Sequence, residues 1–280
     1  MRGDVGEAVV VASLHIAPAD DGWRSRALAR VVDGADAIWL DARPPDEADQ
    51  AATARIFETR GVVPAGASLV DAIGEPAAAT LQAAALARGF DAAPLADMKP
   101  WRAYLTLTVR QMIADGYAPG AGLDAALRAE AAARGRALRF FGGVEGQLDV
   151  FAGLAPDAAA ALARWRIDSL AREGALDDVV AAWTSGDLAA IDAALNAPMR
   201  EAAPAAFDAI VMSRNEMWVT RIADVADDAI RALVVVPSEH LVGPGSAIDI
   251  LRAEGFEVER LDAPPTTDDK AKRKKKKRKK

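Results

Sequence analysis

Two histidines are the whole imidazole complement of this 280-residue chain, and they share a local setting at its opposite ends. The run Val9-Val-Val-Ala-Ser-Leu-His15 is apolar, then Ser-x-His; Ala232-Leu-Val-Val-Val-Pro-Ser-Glu-His240 repeats that order. In open parallel sheets, ligands collect outside the carboxyl ends of the strands. Two strand-end histidines are what an assembled site there looks like. The alternative is that each imidazole simply bonds a neighbouring carbonyl. Asp41 closes a third apolar run, Ala37-Ile-Trp-Leu, on the edge expected to hold His15. Arg214 and Asn215 lie in a stretch of helical spacing, Met212 to Ile222, and either enter a pocket or pair at a helix end. Gly142-Gly-Val-Glu145-Gly-Gln147 begins at another strand end. A Gly-rich turn opening a helix can cradle phosphate, but this spacing matches no phosphate-loop fingerprint.

The elements that must position these residues follow from the pattern. Ala232–Val236 is five apolar residues rich in Val, the composition of a strand buried on both faces. The runs beginning at Val9, Ala37 and Ala137 read the same way, and Phe256–Leu261 alternates like one more strand. Trp23–Val32 reads as a helix ended by Gly34, and Pro- and acid-rich Arg43–Gln50 reads as loop. Residues 51–97 are helical with Gly and Pro breaks. A helix after Lys99 carries proline in its first turn, where a missing N–H costs least. Ala125–Arg134 is helical with Gly135 as cap, Pro156 to about Asn196 is again helical, and Ser246 caps a helix running to about Glu254.

Composition sets the class. Half the residues are apolar (51%) and none is cysteine, so disulfides and thiolate metal sites are excluded. The length suits one large α/β domain or two small ones. No apolar run approaches the roughly 18 residues that span a bilayer, and no signal sequence precedes the first strand. A soluble, cytoplasmic protein is expected. The net charge of −7 hides an asymmetry. Ten of the 34 basic residues lie in 270–280, leaving 24 against 41 acidic groups, a net −17. The acidic body is not built for nucleic acid. The Lys/Arg-rich tail, 266–280, reads as disordered; it either contacts polyanions or serves as a solubilising segment.

Taken in order, these blocks resemble the TraB/GumN family, which includes the TIKI-type proteases and is related to erythromycin-esterase-like folds. The resemblance runs over residues 8–261. It rests on the first strand with His15, Trp39-Leu-Asp41, Lys99-Pro100-Trp101, Gly122-Leu-Asp124, Gly135-Arg136 and Gln147-Leu-x-x-Phe151. It continues through Trp183-x-x-Gly186-Asp187-Leu188, Arg214-Asn215 and His240-Leu-x-Gly243. It implies an α/β fold in one domain, residues 1–265, with a mostly parallel sheet flanked by helices. A large helical insertion is expected at roughly 51–134 and 156–205.

The resemblance also implies a metal-assisted hydrolytic site acting on a small-molecule or peptide substrate. His15, His240 and Asp41 would hold a divalent ion such as Mn, Co or Zn, three ligands being usual for an ion that activates water. Arg214 and Asn215 would stabilise oxyanion charge. Three motif positions depart from the family. Its first glycine is Ala12, its second is Pro237, and its Leu-Glu-Thr falls on Phe141-Gly142-Gly143. Glu145, one turn on, is the candidate substitute for the lost glutamate. The expectation is therefore a metal-dependent hydrolase of peptidase or esterase type. The alternative is an inactive family member that binds a ligand or a partner.

Overall fold

The computed structural model describes residues 7–16, 26–228 and 230–261. The basic tail, the turn at Asp20–Gly22 and the residues from Trp23 to Ser25 lie outside these described residues. Four strands, β1 (Glu7–Ser13), β2 (Ala37–Ala42), β3 (Ala137–Gly142) and β4 (Arg231–Pro237), form one all-parallel sheet in the order β1-β4-β2-β3. The last strand in sequence thus lies between the first two.

Both faces are covered at the inner strands, which is why β4 is apolar from Ala232 to Pro237 and β2 from Ala37 to Leu40. β3, expected to be buried on both faces, lies at the sheet edge half-exposed, with Arg139 outward. Ala8, Ala232, Val234 and Val236 face α13 (Ser213–Asp227) and α14 (Ala247–Ala253). Ile38, Leu40, Leu233 and Val235 face α1 (Arg26–Gly34) and α6 (Leu123–Arg134) through Val32, Leu123, Leu127 and Ala131. The period-two alternation of a strand assigns successive residues to the two layers.

Between β2 and β3 run α2 (Glu47–Arg60), α3 (Leu69–Ile73), α4 (Glu75–Ala87), α5 (Pro100–Ala114) and α6. Between β3 and β4 run α7 (Val144–Ala152), α8 (Pro156–Ala171), α9 (Ala175–Ser185), α10 (Leu188–Ile191), α11 (Ala197–Ala202), α12 (Pro204–Phe207) and α13. Many of these helices bury a core of their own, in which Ala103 and Leu107 of α5 meet Ala163, Ile167 and Leu170 of α8.

Two expectations are corrected. Arg43–Gln50 is not all loop, because α2 starts at Glu47. Asp46 and Asp49 form a reciprocal capping box there, and Arg43 bonds both carboxylates. The acidic residues that read as loop are the cap. Phe256–Leu261 forms no named strand among the described residues; Glu257 alone makes a β-bridge, and the apolar Phe256 and Val258 pack against the α13–α14 layer.

Candidate active site

The sheet opens at its carboxyl edge. β1 and β4 stay in register to Ser13 and Pro237, whereas β2 and β4 pair only as far as Trp39 and Val234. Beyond that point the two strands are no longer paired, the kind of position at which a strand-order switch provides a crevice in open parallel sheets. Three carboxyl ends meet around it: His15 after β1, Glu239 after β4 and Asp41 on β2. Because β4 is the middle strand of the three, Glu239 falls between the other two.

Each of these residues is held by identifiable packing. Leu14 and Ile16 are buried with Leu176 and Val180, which leaves the intervening His15 side chain exposed. Its Nδ1 lies 3.8 Å from Asp124 Oδ2, a buried oxygen with no hydrogen bond among the described residues. Gly122 makes that approach possible. A Cβ on it would lie 2.0 Å from the Leu14 carbonyl oxygen, so only glycine lets α6 begin against the His15 backbone.

Glu239 sits in a short turn tied at several points. Ser238 donates its hydroxyl to the Ser13 carbonyl at 2.7 Å, joining the ends of β4 and β1. Buried Asn196 donates to the carbonyls of Glu239 and Val242 at 3.0 and 3.2 Å. Asn215 donates to the Gly245 carbonyl at 2.8 Å, which turns its own Oδ1 toward His240 Nδ1 at 2.9 Å. With the amide fixed that way, Nδ1 carries the imidazole proton and Nε2 is left with a lone pair. That Nε2 is buried without a hydrogen bond among the described residues. Asn196 ends one π-helical turn, and another, Asp208–Met212, leads into α13 with Arg214 and Asn215. Such turns re-aim side chains within a helix and recur at functional sites.

Asp41 is buried. Its Oδ2 accepts from Gln147 Nε2 of α7 at 2.7 Å, and the Arg214 guanidinium stands 3.9 Å from the same oxygen. Arg221 stands 3.9 Å from Oδ1, donates to the Phe141 carbonyl at 3.3 Å and lies over the rings of Phe141 and Trp218. The two arginines are seven residues apart, hence on one face of α13.

The electrostatics follow from burial. Desolvation raises the Glu239 carboxyl above the ordinary carboxylate range; His15 and Arg214 oppose that, and Asp41 adds to it. Burial lowers the Arg221 guanidinium, with neighbouring Arg214 adding to the effect and Asp41 opposing it. Burial also lowers His240 to about 3, with Arg214 adding and the Val211 carbonyl offsetting part. His240 is therefore a neutral ring inside the core, against Trp218 at 5.9 Å.

The structure thus brings Asp41, Arg214 and His15 around Glu239. It sets His240 and Asn215 behind them, where they hold the Glu239 turn. Glu145 points elsewhere: it is exposed and stands 3.9 Å from Arg55 of α2. Gln147, two residues on and so on another side of α7, is the one that reaches Asp41. Among the described residues no three His, Asp or Glu side chains come close enough to share a metal ion. His240 is bonded to Asn215 in the core, His15 faces Asp124, and Asp41 already faces two guanidiniums. His15, His240 and Asp41 are thus not gathered as three ligands among the described residues. Glu239, Gln147 and Arg221 were missed from sequence. The available signals were the central place of Glu239 in Ser-Glu-His and the Arg-x₆-Arg spacing on α13.

Fold and crevice together define an all-parallel α/β protein with an acid-, imidazole- and guanidinium-lined site at its strand ends. The chain belongs to the TraB/PrgY/gumN family, whose model matches residues 3–260. No match was found among curated proteins or among solved structures. No helix among the described residues is long and apolar enough to cross a membrane.

Proposed function

We propose that the crevice is the active site of a hydrolase acting on ester or peptide bonds. The observation that carries this reading is the placement of Glu239, a carboxyl raised by burial, between His15 and Arg214 at the mouth of a strand-order switch. His15 is the group exposed enough to meet a water molecule. Asp124, 3.8 Å from its Nδ1, favours the positive charge that forms when the ring takes a proton from water. Water deprotonated there attacks the acyl carbon. Arg214 meets the charge developing on the carbonyl oxygen, and Glu239 hands a proton to the leaving group. Asn215 and His240 do not touch the reacting atoms but fix the turn that carries Glu239.

Glu239→Gln and His15→Ala, assayed on p-nitrophenyl acetate and on a fluorogenic peptide library, are each expected to lower kcat/KM by about 10²- to 10⁴-fold. Their melting temperatures should stay close to wild type. Unchanged hydrolysis in both variants would sink the assignment. A second reading, a protein that binds its ligand without turning it over, is favoured by one observation. Phe141-Gly142-Gly143 stands where the family carries Leu-Glu-Thr, with no carboxylate at that strand end. A wild type that hydrolyses neither probe, yet is stabilised by a ligand, would establish that reading.

A further inference from the structure

Two guanidiniums, Arg214 and Arg221, share the site with the carboxyl groups of Asp41 and Glu239. Some arginines sit directly on acids, as Arg43 with Asp46 and Asp49, Arg172 with Asp178 and Arg200 with Asp192, all at 3.0 Å or less, while exposed pairs such as Arg139 with Asp228 and Arg252 with Asp249 stand at 3.8 Å. Arg214 and Arg221 stand 3.9 Å from opposite oxygens of Asp41, beyond hydrogen-bond reach. The nearer place on Oδ2 is taken by Gln147 at 2.7 Å. Each guanidinium offers five N–H donors and no acceptor. Among the described residues the pair has one hydrogen bond, from Arg221 to the Phe141 carbonyl. Both side chains are largely buried, at 18% and 26% exposure. None of their nitrogens is among the buried atoms left without a partner, so the donors not used within the protein are accessible to a ligand's acceptor.

We infer that Arg221, across Asp41 from Arg214, anchors a carboxylate of the substrate, so that the substrates are acyl compounds bearing a free carboxylate close to the scissile bond. This deepens the hydrolase reading and rests on it for the word substrate. The geometry suits the division of roles. Arg214 faces Glu239, where the reaction runs. Arg221 is set apart by the width of the Asp41 carboxylate, with its guanidinium carbon 5.2 and 5.4 Å from the ring centres of Phe141 and Trp218. A guanidinium so placed suits bidentate recognition of a planar carboxylate. Asp41 and Glu239 already bring carboxyl groups beside the two guanidiniums, so a singly charged, planar carboxylate meets less repulsion there than a phosphate dianion.

Calorimetric titration of the full-length chain with succinate, succinamide and inorganic phosphate tests the anchor without turnover. Succinate should bind, and succinamide, which lacks the charge, should not. Arg221→Gln should weaken succinate on the order of tenfold, with Arg221→Lys recovering part of the loss. Asp41→Asn should tighten it on the order of tenfold, because a competing negative charge is removed. That opposite sign is a result that a merely structural Arg221–Asp41 contact does not produce. Equal binding of succinamide, tighter binding of phosphate than of succinate, or weakening in Asp41→Asn would overturn the inference. Turnover of p-nitrophenyl esters with no preference for carboxylate-bearing acyl groups would overturn it while leaving the hydrolase reading intact. Succinate binding in a protein without turnover would leave the anchor and remove the hydrolase.

Discussion

Substituting Gly122 by alanine tests how the site is assembled. The residue has φ −74°, a value that any amino acid adopts, so alanine brings no backbone strain there. By restricting the unfolded chain, it should even stabilise by about 0.4–1 kcal/mol if nothing were in the way. The obstacle is steric. The new Cβ would meet the Leu14 carbonyl oxygen at 2.0 Å, and the His15 carbonyl carbon and Cα at 2.7 and 2.9 Å. A carbon–oxygen contact normally settles near about 3.3 Å, so the strand end and the start of α6 must part by roughly 1 Å. Overpacking of this kind costs about 1–3 kcal/mol. It also moves His15 away from Asp124 and Glu239, and a displacement of that size can lower activity on the order of 10²-fold. Urea unfolding and kcat/KM should both report the change. Gly146→Ala in α7 serves as control, because its Cβ meets no heavy atom within 4 Å and alanine favours a helix interior by about 1 kcal/mol. If Gly122→Ala matches wild type in stability and activity, the close approach of α6 to His15 does not organise the site.

Acid should weaken the fold through His240. Its folded value, about 3, lies below the ordinary 6.5, so the unfolded chain takes up the proton first. The contribution is complete above pH 6.5 and is lost as pH falls toward 3. By pH 5 the loss is about 2 kcal/mol, measurable as a steeper pH slope of urea unfolding in wild type than in His240→Gln; parallel slopes would contradict the burial. Gly142 is not among the glycines with positive φ, and a Cβ there would lie 3.9 Å from the Asp41 carbonyl oxygen, an ordinary contact. Gly142→Glu should therefore fold normally and raise ester hydrolysis if a carboxylate at that strand end assists proton transfer. Unchanged rates would show that Glu239 already fills the role. Calorimetry with Mn, Co or Zn addresses the metal expectation. The buried, Asn215-bonded ring predicts that His240→Ala leaves any binding intact, and loss of a single site in both His15→Ala and His240→Ala would show that the two imidazoles share an ion.

Much of this protein is written locally. Runs such as Ala232–Val236 are apolar at every position because both faces of their sheet are covered, and the same logic marks the segments of β1 and β2, whereas β3 at the sheet edge is only half-buried and carries exposed Arg139. Helix ends carry their own signals, as at Ser246, whose hydroxyl accepts from the Asp249 N–H at 3.3 Å. That His15, Asp41 and the His240 turn lie at strand ends was likewise legible, since a strand's polar punctuation follows its apolar run. Strand order was not. Periodicity says which residues lie in a strand but nothing about which strand lies beside it. The insertion of β4 between β1 and β2 is what moves Glu239 to the centre. Helix phase decided that Gln147 and not Glu145 reaches Asp41, and that Arg221 joins Arg214. The setting of His240 was decided further away still, by Trp218 and Asn215 of α13, which close over the ring and leave it neutral in the core. Burial and charge at this site are sums over groups distant in sequence, so only the tertiary structure could fix which imidazole faces the crevice and which one supports it.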